Sequence, residues 1–410
     1  MNRRTFCRNS LQLGALSMMG FPQISLAQST QDLPGFLVIM KIPGGWDTSL
    51  SLDPWTQKTR LAESECFIEY REDELLPFGN TFVGPAMAPL KKYFDRAAIV
   101  RGLYISNSEV AHDVARDYQA SGSGDASLGS LNVELEGQIS DSLFGVMANL
   151  AFPVGHRNAT VWDINDLRDS KKMQSAATLM SFKEKSSELG RARQALLQGT
   201  EQIESFNREL SKFGDIIRDE HIIAAAFLAR TSSSAVLTLT GGNLDTHSDH
   251  PVNHLRDLTA YFEQVKSMLD ALAASKGVNA LGQQSDQRTL LDQTTVLVVS
   301  DFTRTPSLVS GKGKNHNPQM NANLLFGPGI KAGVIGGSNV ISSARSATGN
   351  SYYAAAPTDV ETFMPVNRRE NAFLIRPENI IATVTRSMGF DPGKIAPSLG
   401  NARVLKALLK

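Results

Sequence analysis

The chain is poor in cysteine, has no excess of charge of either sign, and lacks a long apolar run in its body. It contains two cysteines in 410 residues. Cys7 lies in the N-terminal leader described next, so Cys66 has no intrachain partner and a disulfide-stapled scaffold is excluded. Basic and acidic residues number 41 each. We therefore expect no nucleic-acid partner, which would need clustered basic residues, and no transmembrane segment after the leader.

The N-terminus has the composition of a secretory signal. The opening MNRRTFCRNS holds three arginines and no acid, and the apolar stretch LQLGALSMMG follows it. A small-residue cleavage pattern then ends at Ala27, which predicts a signal over residues 1–27. The pair Arg3 and Arg4 before a weak apolar core is typical of a twin-arginine signal; an ordinary leader or an uncleaved anchor is the alternative. We expect a periplasmic or exported protein of residues 28–410.

Apolar runs alternate with helical patterns along the rest of the chain. Five runs indicate buried strands, at 36–42, 97–102, 235–240, 294–300 and 322–327. Helical spacing is clear at 251–275 and 377–388. The alternation predicts an α/β protein, a three-layer sandwich around a mostly parallel sheet. Residues 170–230 are polar with spaced apolar positions, and they predict a helical insertion, either a lid or a cover for one face of the sheet.

Polar side chains follow several of these strands. Asp47 comes after the first strand and two glycines, Asp301 ends the run TTVLVVS, and His316 precedes the fifth strand. The strand ends of an α/β sheet meet at one crevice, so these residues can converge there. Asp and His are ligands for zinc, manganese or similar divalent ions. A turn aspartate explains Asp47 equally well, and an ion pair with Arg304 is the alternative for Asp301.

The densest polar segment follows the strand at 235–240. Asp245, His247, Asp249 and His250 fall within six residues. This cluster predicts half of a divalent-metal site. The alternative is a polar loop in which one residue caps the helix at 251–275.

Ser108 and Arg304 are the candidate catalytic residues. Ser108 precedes a helical run, where a helix N-terminus favours an anion, and a nearby metal can activate its hydroxyl. It can equally be the N-cap of that helix, with His112 on the same face. Arg304 can clamp a substrate oxyanion through its planar guanidinium. Lys312 and Lys314, beside His316, would raise the affinity of the site for anions.

These pieces, in this order, resemble the alkaline phosphatase superfamily, and within it a twin-arginine-exported branch known as domain of unknown function 1501. The residues that carry the resemblance are Gly44-Gly45-Trp46-Asp47, Asp245-Thr246-His247 and the string Ser300-Asp301-Phe302-Thr303-Arg304-Thr305-Pro306. The string from Asn107 to His112 is also similar to the nucleophile segment of cofactor-independent phosphoglycerate mutase.

The resemblance implies one or two divalent ions and a small anionic substrate, a phosphate or sulfate ester. It assigns Asp47 and Asp301, with Ser108 as a candidate, to one ion. It assigns Asp245, His316 and either His247 or His250 to the other. It also implies Ser108 as the nucleophile and Arg304 as the group that steadies the oxyanion.

Two departures from the family pattern support an alternative function. Phe302 follows Asp301 where active phosphatases carry histidine, and Asn315 precedes His316 where many relatives have aspartate. The alternative is a non-catalytic envelope protein that keeps the fold as a binding or assembly factor.

Overall fold

The computed structural model describes residues 36–56, 66–108, 110–122, 234–278, 284–309, 312–341, 352–367, 370–395 and 399–410. The predicted signal at 1–27 and the predicted insertion at 170–230 lie outside the described residues. The chain divides into two compact units. The smaller comprises Met1–Val38, Asn132–Leu237 and Ser267–Thr294, and the larger comprises Ile39–Leu131, Thr238–Lys266 and Thr295–Lys410. Every candidate site residue belongs to the larger unit.

The main element is a six-stranded sheet. Its strands are β1 (Phe36–Ile42), β2 (Ala97–Leu103), β3 (Ser234–Thr238), β4 (Thr294–Ser300), β5 (Asn321–Phe326) and β6 (Gly333–Gly336). The order across the sheet is β6-β2-β5-β4-β1-β3. All residues of β1, β4 and β5 are buried, which explains why their sequences are nearly continuous apolar runs.

The directions of the strands make the sheet mixed. β6 runs parallel to β2, whereas β5 runs antiparallel to both β2 and β4. The predicted α/β class is confirmed, but the prediction of a mostly parallel sheet has to be corrected at β5. The sequence does not carry this information, because a run buried on both faces has the same apolar pattern in either direction.

Four α-helices accompany the sheet in the described part of the chain. They are α1 (His112–Ser121), α2 (His250–Ala274), α3 (Pro377–Ser387) and α4 (Pro392–Ile395). The predicted helices at 251–275 and 377–388 are confirmed to within one residue at each end. α1 and α3 are joined by the Tyr118 hydroxyl, which donates to Glu378 over 2.7 Å. None of the helices that the structure describes is long and apolar enough to cross a bilayer.

Short elements complete the described chain. Five two-stranded pairs are Leu76–Phe78 with Thr81–Val83, Lys276–Val278 with Gln284–Thr289, Thr303–Arg304 with His316–Asn317, Ser338–Ile341 with Tyr352–Ala355, and Thr358–Asp359 with Ala372–Phe373. The 3-10 helices are Thr48–Leu50, Glu72–Glu74, Pro85–Arg96, Leu290–Asp292 and Lys406–Leu408. The third pair matters for the site because it sets His316 directly opposite Arg304.

Candidate metal centre

The loop after β1 is held tightly between neighbouring elements. The Trp46 indole donates to Asn321 Oδ1 over 2.6 Å, and its backbone N–H donates to Ser300 Oγ over 3.1 Å. Gly44 and Gly45 have φ angles of +98° and +75°, which favour glycine. A Cβ on Gly44 would lie 2.8 Å from the backbone nitrogen of Asp245. The glycines therefore let this loop approach the segment that carries Asp245.

Three side chains from separate elements meet beside this loop. His112 is the first residue of α1, Asp245 lies between β3 and α2, and His316 belongs to the short strand opposite Arg304. His112 Nε2 lies 3.0 Å from His316 Nε2 and 3.3 Å from Asp245 Oδ1. His316 Nε2 lies 3.5 Å from the same carboxylate oxygen. These three residues form a His/Asp/His group able to hold a metal ion.

The spacing of these atoms fits a divalent ion. Ligands about 2.0–2.1 Å from a tetrahedral zinc ion lie about 3.3 Å from one another, and the three separations here span 3.0–3.5 Å. His247 Nε2 extends the group, at 2.9 Å from His316 Nε2 and 3.1 Å from Asp245 Oδ1. Imidazole nitrogens so close together repel unless a proton or a cation lies between them. Imidazoles and a carboxylate are the donor types that zinc and similar ions accept.

Asp301 lies behind His112 and outside the His/Asp/His group. This buried carboxylate is 2.6 Å from His112 Nδ1, and it accepts from the Gly44 N–H over 2.8 Å and from Arg116 over 3.2 Å. A His112 that donates its Nδ1–H to Asp301 directs the Nε2 lone pair at the group, as a metal-binding histidine requires. The structure thus gives Asp301 an orienting contact, where the sequence analysis expected a ligand.

Arg304 is committed to protein acceptors. It is fully buried. Its guanidinium donates to Gly45 O over 3.0 Å, to Lys314 O over 3.2 Å, to Asp245 Oδ1 over 2.8 Å, and also to Gly44 O. Burial raises the pKa of Asp245, but the contact with Arg304 outweighs burial and holds that pKa below its usual range. The structure therefore directs Arg304 at Asp245, where the sequence analysis expected a substrate oxyanion or Asp301.

Asp47 belongs to a second, buried cluster. Its Oδ2 lies 2.5 Å from Lys314 Nζ and 3.2 Å from His250 Nε2, and its Oδ1 accepts from the Ser49 backbone and hydroxyl. Burial opposes ionisation, yet the Lys314 ammonium and the nearby imidazoles hold the pKa of Asp47 well below its usual range. The predicted ligands Asp47 and His250 thus lie together, but apart from His112, Asp245 and His316.

Glu69 completes the buried cluster, which we define as Asp47, Glu69, His250 and Lys314. Glu69 Oε1 lies 3.8 Å from His250 Nε2. Burial raises the pKa of Glu69 to about 7, with the negative charge of Asp47 adding to the effect. Burial also lowers the pKa of His250 to about 4. No motif in the sequence marks Glu69, because an isolated glutamate gives no sign that its side chain is buried.

Thr246 connects this cluster to a second histidine. Its Oγ1 lies 2.7 Å from His250 Nδ1 and 2.9 Å from His254 Nδ1. His254 Nε2 accepts the backbone N–H of Asp47 over 2.8 Å. Burial lowers the pKa of His254 well below its usual range, so this histidine is neutral. His254 is not among the predicted site residues, and its contact fixes the Asp47 backbone.

Ser108 lies in the exposed segment between β2 and α1. Its hydroxyl is 3.2 Å from Ser106 Oγ, and its backbone N–H donates to the same oxygen over 3.1 Å. α1 begins only at His112, with Ala111 as its N-cap. The expectation that Ser108 caps this helix is therefore wrong, and so is the expectation that it shares a helix face with His112.

The fold and the site define an α/β protein with a candidate His/Asp/His metal centre. Residues 167–355 match the model of a family described as a protein of unknown function, DUF1501. The match includes Asp245, His247, Arg304 and His316, and it does not reach Asp47 or His112. No curated protein matches this chain.

Proposed function

We propose that this chain is an exported, metal-dependent hydrolase of a phosphate or sulfate ester. The observation that carries the proposal is the spacing of His112, Asp245 and His316, whose ligand atoms lie 3.0–3.5 Å apart. We assign one zinc, manganese or similar divalent ion to this group. His247 is the candidate for a fourth ligand in the absence of substrate, and an entering substrate would take its place on the ion.

Access to the group supports a catalytic role over a structural one. The side chains of Asp245 and His247 are 44% and 48% exposed. Structural zinc sites are closed by four protein ligands, whereas catalytic sites keep a position open to substrate. A centre with two half-exposed members can receive a small ester from solvent. Lys312, exposed and paired with Ser248 next to His247, favours an anionic one.

Each neighbouring residue has a definable task in this proposal. A divalent ion held by the group would supply Lewis-acid polarisation of the ester. Asp301 fixes the orientation of His112, and Arg304 fixes Asp245. Ser108 is the proposed nucleophile, because it is exposed on the segment that leads into His112. A three-layer, alkaline-phosphatase-like arrangement and export through a twin-arginine signal are parts of the same proposal.

A non-catalytic envelope protein, with or without a bound metal, is the second candidate function. The commitment of Arg304 to protein acceptors favours it, because that guanidinium is then not free to steady a substrate oxyanion. A binding or assembly factor needs the fold but not a nucleophile.

The proposal is tested by metal analysis and turnover on the same samples. The purified exported chain is compared with His316→Ala and with the matched control Asn315→Ala, whose side chain is exposed next to it. We expect the wild type and the control to retain a divalent ion and to hydrolyse chromogenic phosphate or sulfate esters, and His316→Ala to lose both. Bound metal without turnover would favour the second candidate. An absence of bound metal would contradict the hydrolase and leave the metal-free form of the second candidate.

A further inference from the structure

Lys314 places a buried ammonium group among metal-type ligands. Its side chain is 1% exposed, and its Nζ lies 2.5 Å from Asp47 Oδ2 and 3.1 Å from Phe67 O. Its backbone is held as well, because the N–H donates to Thr246 O and the C=O accepts from Arg304. The ammonium is thus a fixed positive charge at a defined point.

The groups around this charge are those that bind a divalent cation. Asp47 and Glu69 are carboxylates and His250 is an imidazole, the donor types of zinc and manganese sites. His250 Nε2 lies 3.2 Å from Asp47 Oδ2 and 3.8 Å from Glu69 Oε1. Both carboxyl groups are thus within 4 Å of the same imidazole nitrogen.

Some of these donor atoms have no hydrogen-bond partner in the described part of the chain. The Glu69 side chain is 5% exposed, and neither of its oxygens has a hydrogen-bond partner. His250 Nε2 is also fully buried, and its 3.2 Å contact with Asp47 Oδ2 lacks hydrogen-bond geometry. Buried polar atoms without partners destabilise the folded chain. Glu69 and His250 thus meet beside Asp47, as they would at a cation site. The positive charge at this site is the ammonium of Lys314, which is part of the chain.

We propose that the Lys314 ammonium occupies a cation position formed by Asp47, Glu69 and His250, and that removal of this side chain opens the position to a divalent ion. The ammonium neutralises Asp47 as a metal would, and it cannot dissociate from the chain. It follows that, of the two clusters in the described residues, the group around His112 is the one that binds an exchangeable ion. A count of one ion per wild-type chain rests on the proposed function. The gain of a second ion on removal of Lys314 is independent of that function.

The test is a count of bound ions per chain. Lys314→Ala is loaded with Mn²⁺ or Zn²⁺, freed of excess and analysed for metal beside the wild type. Lys314→Arg keeps the charge, and Lys312→Ala removes a lysine from the exposed part of the same loop. We expect Lys314→Ala to hold one more ion than the wild type and both controls to match the wild type. Glu69→Gln in the Lys314→Ala background should abolish the gain.

The outcomes separate this proposal from the proposed function. A folded Lys314→Ala chain with the wild-type count overturns the present proposal. A wild-type chain without metal contradicts the centre at His112, and the difference between the two chains still decides the role of Lys314. If Lys314→Ala folds only when Mn²⁺ is present during refolding, as judged by circular dichroism, the proposal is supported. Failure to fold even with Mn²⁺ overturns it.

Discussion

Asp301 holds His112 from behind, with its Oδ2 2.6 Å from His112 Nδ1. The same carboxylate binds the Gly44 N–H and Arg116. One buried acid thus connects the loop after β1, the end of β4 and the first turns of α1. The orientation of His112 towards the candidate metal centre depends on this acid.

Asp301→Asn should weaken metal binding. The amide keeps a carbonyl acceptor for His112 but loses the negative charge that makes the imidazole a stronger ligand. Loss of such an outer contact typically weakens metal affinity by about 10–100-fold, and we expect a loss in that range by competition with a coloured chelator. Asp113→Asn is the control, since Asp113 is exposed on α1 and bonds only the next backbone N–H. Equal affinities for the two variants would contradict the orienting role of Asp301.

Gly44→Ala should weaken the same site through the backbone. The new Cβ would meet the Asp245 nitrogen at 2.8 Å, so the segment that carries Asp245 has to move. We expect affinity to fall by about tenfold or more, the lower end for a disturbed ligand contact. Gly241→Ala is a matched control, because Gly241 has a φ of +103° but open space around it. A similar loss of affinity in both variants would mean that backbone strain alone is responsible.

Glu69→Gln should change how stability depends on pH. Burial raises the pKa of Glu69 to about 7 from 4.5. The unfolded chain loses this proton first, so the stability that Glu69 contributes is complete below pH 4.5 and is lost as pH rises to 7. We expect the variant to gain about 3 kcal/mol relative to the wild type between pH 4 and pH 8. Urea unfolding of metal-free protein at several pH values measures this difference.

His250 contributes with the opposite sign. Burial lowers its pKa to about 4, so the stability it contributes is present above its unfolded pKa of about 6.5 and is lost as pH falls towards 4. The glutamine variant keeps this contribution, and the comparison with wild type therefore isolates Glu69. Glu361→Gln, an exposed carboxylate, is the control. If the gap between Glu69→Gln and wild type does not change with pH, Glu69 does not hold its proton in the folded chain.

Asn321→Ala should destabilise the loop after β1. The Asn321 side chain accepts from the Trp46 indole over 2.6 Å and donates to Ser300 O over 3.0 Å. Its removal leaves the buried Trp46 indole N–H without a partner and removes the hydrogen bond to Ser300 O. We expect a loss of about 2–3 kcal/mol in the free energy of unfolding. Denaturant unfolding measures the loss, and Asn315→Ala at an exposed position should change stability by less than about 0.5 kcal/mol. A loss below about 1 kcal/mol for Asn321→Ala would contradict this network.

The sheet and much of the centre follow from patterns that the sequence displays. Continuous apolar runs located β1, β4 and β5 because both faces of these strands are buried. The density of acids and histidines singled out Asp245 and His247. The antiparallel direction of β5 could not be predicted, since strand direction depends on pairing between segments far apart in the chain.

Other site residues could not be found from local pattern. Lys314 was expected to raise the affinity of the site for anions, but its ammonium is buried against Asp47. His112 could have been predicted as a site residue from its position in the string Asn107 to His112, where the sequence marks it as a neighbour of Ser108. Asp47 and Asp245 belong to different clusters because their side chains point in different directions. Spacing in the sequence does not determine these directions.

The segment from Asp245 to His250 contributes to both the half-exposed His/Asp/His group and the buried cluster. The side chains of Asp245 and His247 are half-exposed, while Thr246 between them is buried and contacts His250 and His254. Alternate residues therefore serve different clusters. Deletion of a single codon here would turn each side chain towards the wrong neighbours, so the number of residues in this segment is constrained more strictly than the choice of any one of them.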